Sequence, residues 1–233
     1  MNRPFFYIAN WKMYFTYNET ISWISTHGEE LSFLAKSHHI IICPSFITLD
    51  HIAKEFNQSH LLLSAQNCSA YKKGAHTGQI SAASLAEIGC NYCIIGHSEQ
   101  RNCDNNDIIE QKVLRLLEYN ITPILCISNP QEELTPAITA FHKFPEKEII
   151  IAYEPLNAIG SGNVPENRFI EKTFSTIVNF IEHHVSDKTY YMIYGGSVDS
   201  ENVKRLKLIN RLDGFLIGGA STHFDEFKRI IEF

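Results

Sequence analysis

Eight short runs of apolar, β-branched and aromatic residues recur along the chain, at 5–11, 40–43, 61–65, 92–95, 123–127, 148–153, 190–194 and 214–217. They are nearly continuous in apolar residues rather than alternating, which marks strands buried on both faces and hence a parallel sheet. Between them the apolar spacing predicts helices at 18–35, 47–57, 81–89, 105–119, 131–143, 166–184, 199–209 and 223–232. In the fourth, Ile108, Ile109, Val113, Leu116 and Leu117 share one helical face, and Asp104 stands where an N-cap is expected. Strict β-then-α alternation at about 29 residues per unit leaves two α/β architectures, an open doubly wound sheet or a closed barrel. A doubly wound dinucleotide binder carries G-x-G-x-x-G after its first strand, and Asn10-Trp11-Lys12-Met13 stands there instead. Eight units without that fingerprint predict a closed (β/α)8 barrel. With no linker or low-complexity tract, one domain is expected over residues 1–233.

Charge narrows the function classes. The 26 acidic and 20 basic residues give a formal net charge of −6, so no basic surplus exists to neutralise a nucleic-acid backbone. No apolar run reaches the roughly 18 residues of a membrane span. Asn10 and Lys12 cut the first apolar stretch short of a secretion signal, so a cytoplasmic protein without nucleic-acid or membrane partners is expected. Six cysteines are too sparse for a disulfide scaffold. Cys90-x-x-Cys93 followed by His97-x-Glu99 raises a zinc site, but the zinc deaminases place H-x-E upstream of P-C-x-x-C. The order here is reversed, so reduced core thiols and no metal are expected.

Barrel chemistry collects at the carboxyl ends of the strands. Asn10 and Lys12 stand two apart after the first run, and His97 and Glu99 two apart after the fourth, spacings that share a face on extended chain. Glu154 ends the sixth run and precedes Pro155, which biases it towards extended backbone. Taken singly, a strand-end lysine is usually a solvated charge and a histidine beside an apolar run a bonded core residue. Together they bring a cation, an imidazole and a carboxylate to one mouth, a set suited to proton transfer beside a carbonyl. Gly195-Gly196-Ser197 and Gly218-Gly219 close the last two runs, where barrels commonly hold phosphate on backbone N–H groups. The segment between Pro155 and Pro165 exceeds the usual ~2–6 residues of a strand-to-helix loop and reads as a lid beside the candidate base.

Asn10-Trp11-Lys12-Met13, Gly96-His97-Ser98-Glu99, Ala152-Tyr153-Glu154-Pro155, Ala158-Ile159-Gly160, Tyr194-Gly195-Gly196-Ser197-Val198 and Gly218-Gly219-Ala220-Ser221 resemble, in this order, the motifs of the triosephosphate isomerase family. The resemblance spans essentially the whole chain. It implies a TIM barrel that interconverts dihydroxyacetone phosphate and glyceraldehyde 3-phosphate, in glycolysis and gluconeogenesis, without cofactor or metal. It also implies the roles. Glu154 would carry the proton, His97 would donate a hydrogen bond to the carbonyl as a neutral imidazole, and Lys12 would stabilise the enediolate with Asn10 orienting the oxygen. Glu99 would pair with Lys12, and the amides of Gly160, Ser197, Gly218 and Gly219 would hold the phosphate. Gln66, Asn67 and 74–78 resemble the family's third loop, which reaches into a second subunit; a homodimer is implied, with Thr77 near the neighbour's site.

Several positions depart from the family pattern. Gln79 stands where that loop has glutamate, and Gln100 where an arginine follows His-Ser-Glu, so both halves of a subunit-bridging ion pair are amides. Ser128-Asn129 replaces Gly-Glu after Cys126-Ile127, and Asn157 replaces the lid tryptophan that contacts that glutamate in the closed lid. The stretch before Pro165 is two residues shorter than the family's. These changes leave open a competing reading, a catalytically weakened relative that binds triose phosphate.

Overall fold

A computed structural model describes residues 3–155 and 164–233. Eight strands, β1 (Phe6–Asn10), β2 (His39–Cys43), β3 (Leu62–Ala65), β4 (Tyr92–Ile95), β5 (Thr122–Ile127), β6 (Ile149–Tyr153), β7 (Tyr190–Tyr194) and β8 (Gly214–Ile217), pair in chain order. All pairs are parallel, and β8 returns to β1 with Tyr7 opposite Phe215, so the sheet is a closed barrel. The helices described are α1 (Tyr17–Leu34), α2 (Phe46–Glu55), α3 (Ala82–Glu87), α4 (Asn106–Glu118), α5 (Pro130–Glu133), α6 (Thr135–Lys143), α7 (Asn167–His184), α8 (Val203–Leu206) and α9 (Phe224–Glu232). Burial on both faces explains the unalternating runs. Phe6 and Ile8 on β1, Ile150 and Ala152 on β6 and Leu216 on β8 belong to the cluster inside the barrel. Tyr7, Ala9, Ile151 and Phe215 belong to the larger cluster under the helices. Because successive side chains alternate, the interior series 6, 8 and 150, 152 continue at Asn10 and Glu154, which therefore meet at the carboxyl-end mouth. At the opposite end Arg3 closes the barrel. Its guanidinium donates to both carboxylate oxygens of Asp213, at 2.8 and 2.7 Å, and to the Tyr190 carbonyl at 2.6 Å.

Three helix expectations are corrected. The N-cap of α4 is Asn105, whose side chain accepts from the Ile108 N–H, while Asp104 turns inward to pair with the buried Lys112. The stretch 131–143 divides into α5 and α6 at Leu134, because Pro136 lacks the N–H that a continuous helix needs and suits a new helix start. Only Val203–Leu206 of 199–209 is α-helical; the Asp199 carboxylate accepts from the amides of Glu201 and Asn202, a local turn that competes with helix at its start. Cys90 and Cys93 are free and buried, the latter on β4. No described helix is long and apolar enough to cross a membrane.

Candidate active site

A cavity of about 370 Å³ opens at the carboxyl ends of the strands, lined by Asn10, Lys12, Tyr14, His97, Glu154, Ser197, Gly218 and Gly219 among others. Seven of the expected site residues thus meet at one mouth. Gly160 and Asn157, with the rest of the expected lid, lie outside the described residues. Glu99 stands outside the lining; it is exposed and grips Lys12, Nζ to Oε1 2.7 Å. Thr77 and Gln79 are remote from this mouth, on the exposed loop between β3 and α3.

Local chain geometry places each group. Lys12 has a left-handed backbone (φ 47°), held by its own N–H donating to the Asn10 side chain and by Gln66, which donates to the Lys12 and Cys43 carbonyls at 2.8 and 2.9 Å. After β4, Gly96 turns the chain with φ 71°. Its lack of a side chain admits Arg101, which donates to the carbonyls of Gly96 and Cys126 and ties the ends of β4 and β5 together. His97 and Glu99 are not on extended chain as their spacing had implied, because Ser98–Gln100 forms a 3₁₀ turn capped by His97. In consequence the Glu99 N–H points at His97 Nδ1 (3.2 Å), so the neutral ring carries its single proton on Nε2. That nitrogen lies 3.1 Å from Glu154 Oε1.

Glu154 is 1% exposed. Burial pushes its carboxyl above the ordinary carboxylate range; His97, the Ser98 amide and Lys12 offset part of that effect. The Ser98 N–H donates to Oε2 at 3.1 Å. Cys126 faces the same carboxylate, and burial followed by that charge pushes its thiol well up. The result is a poised base next to a neutral hydrogen-bond donor and a cation, beside two glycine-lined turns. Gly196 is needed there, since a β-carbon would collide with the Tyr194 hydroxyl.

Other partners went unread in the sequence. Where the family's glutamate is replaced by Asn129, the side chain caps α5 by accepting from the Gln131 N–H. A carboxylate at this turn comes from Glu133, whose Oε2 accepts from the amides of Ser128 and Asn129 at 2.6 and 3.1 Å and lies 3.4 Å from Arg101. The signal was the acidic pair one turn after Pro130, visible only once the helix start is fixed. Gln79 accepts from Ser69 of the same chain (2.6 Å) and lines a second cavity of about 380 Å³ with Asn67, Cys103, Asp104 and Lys112.

The family model for triosephosphate isomerase matches residues 5–233. Triosephosphate isomerases of Aquifex aeolicus and Dictyoglomus turgidum are each 36% identical, over 96% of this chain and 96% of theirs. That of Wolbachia sp. subsp. Brugia malayi is 36% identical over 98% of this chain and 97% of its own. With the closed barrel and the Asn10, Lys12, His97 and Glu154 mouth already in place, the chain belongs to the triosephosphate isomerase family.

Proposed function

We propose that the chain, as one domain, interconverts dihydroxyacetone phosphate and D-glyceraldehyde 3-phosphate in the cytoplasm. Glu154, ionised, takes a proton from the carbon beside the carbonyl, leaving an enediolate. His97 Nε2–H donates to the oxygen that gains charge, and Lys12 lies within reach of the same oxygen with Asn10 orienting it. The proton then returns from Glu154 to the neighbouring carbon while the hydroxyl proton shifts from one oxygen to the other beside His97, so no atom is lost and no cofactor is consumed. Amides of Ser197, Gly218 and Gly219 hold the phosphoryl group, joined by Gly160. The observation that carries this reading is the 3.1 Å approach of the proton-bearing His97 Nε2 to the buried Glu154 carboxylate in one cavity with Lys12 and the glycine turns.

Two copies assemble through the loops after β1, β2 and β3. Exposed Met13 and Tyr71 stand on the loops after β1 and β3, and exposed Ile47 on the first turn of α2, apolar groups of the kind that interfaces cover. Thr77 and Gln79 then reach towards the neighbour's site. Coupled-assay turnover of glyceraldehyde 3-phosphate, with mass in solution recorded alongside, tests both statements. Substrate binding without turnover would instead leave a triose-phosphate binder.

A further inference from the structure

The loop after β1 brings a residue to the cavity that no motif of the chain announces. Tyr14 lines the mouth, 59% exposed, and its hydroxyl makes no hydrogen bond among the described residues. It is aimed at the second glycine pair: the Tyr14 hydroxyl stands 3.8 Å from where a β-carbon on Gly219 would be, while Lys12 Nζ stands 3.9 Å from the same position on Gly218. The placement is fixed from both sides. The Tyr14 N–H donates to the Trp11 carbonyl at 3.0 Å, and the Trp11 indole N–H donates to the Ser221 carbonyl at 3.3 Å, locking the β1 loop onto the β8 loop. Trp23 adds an indole N–H to the Thr222 carbonyl at 2.8 Å.

A phosphoryl dianion presents three terminal oxygens, and each needs donors once water is displaced. Backbone amides meet part of that need. The Lys12 ammonium is shared with Glu99, so a further neutral donor on this side completes the shell. We propose that Tyr14 is a substrate-binding residue whose hydroxyl donates a hydrogen bond to a terminal phosphoryl oxygen held at Gly218 and Gly219. This rests on the assignment of those glycines to phosphate.

Tyr14→Phe removes one oxygen from a partly exposed side chain and keeps the ring, so the fold is retained. Loss of one hydrogen bond to a charged group is worth about a tenfold change in binding. The expected result is that KM for glyceraldehyde 3-phosphate and the inhibition constant of inorganic phosphate both rise about tenfold, with kcat moving less than KM and the mass in solution that of wild type. An inhibition constant for phosphate equal to wild type overturns the proposal. A lower mass in solution with that constant unaltered also overturns it, and makes Tyr14 an interface residue. Failure of inorganic phosphate to compete with substrate in the wild type removes the phosphate site itself, a different outcome from failure of Tyr14 alone.

Discussion

At the scale of single residues, Glu154 sets stability against chemistry. Its carboxyl titrates above its unfolded value because of burial, with His97, Ser98 and Lys12 compensating in part. A raised carboxyl binds its proton more tightly when folded, so its favourable contribution is full below the ordinary carboxylate range and is lost as pH rises through the folded-state value. Glu154→Gln is therefore expected to unfold at a higher temperature than wild type at neutral pH, with the difference vanishing in acid, while kcat falls by about 10²–10⁴. Thermal melts at two pH values and a coupled assay check this. Equal melting temperatures at neutral pH would mean that the charge is fully compensated.

Among the elements, the start of α4 separates two kinds of polar residue that sequence alone confuses. Asp104 and Asn105 are both good caps, and the choice between them depends on what lies opposite. Lys112, buried on α4, needs an anion and takes Asp104, with Asn67 as second partner at 3.0 Å; the cap falls to Asn105. Asn105→Ala is expected to cost about 1 kcal/mol. Asp104→Ala, which strands a buried ammonium, is expected to cost roughly 3–5 kcal/mol. Urea midpoints at one protein concentration distinguish them, and equal losses would show that the pair contributes nothing beyond a cap. The same cause runs through the fold. The apolar runs of all eight strands were legible because burial on both faces leaves an unbroken hydrophobic stretch, as in Ile149–Tyr153. The Lys112–Asp104 pair, the Glu133 carboxylate and Tyr14 were not, since each acts through a residue distant in sequence or through a loop conformation that has no period. Asn10, Lys12, His97 and Glu154 were legible because they stand at, or within two residues of, strand ends that barrel geometry brings together.

For the whole molecule, the proposed assembly of two copies puts Gln79 and Gln100 to the test. A family ion pair at these positions depends on ionic strength, whereas two amides hydrogen-bond without desolvating charge. Gln79 already bonds Ser69 within the chain, and Gln100 lies 3.5 Å from Asn67, which lines the second cavity. Dimer dissociation is expected to change little between low and moderate salt through this contact. Gln79→Glu alone or Gln100→Arg alone should weaken the dimer, and both together should restore it. Additive losses by sedimentation would show that the two side chains do not meet.

The distribution of thiols gives the molecule its own clock. Cys43, Cys68, Cys90, Cys93 and Cys126 are buried, and burial pushes Cys43 and Cys90 up to about 12, so neither is a thiolate at neutral pH. Cys103 alone is exposed, on the wall of the second cavity. A thiol reagent should therefore count one fast event at Cys103 and slower ones at the buried thiols, the slowest of them timing the opening of the barrel. If a second copy covers that cavity, the fast event itself slows as protein concentration rises, and a colour reaction reports the monomer fraction without a tag.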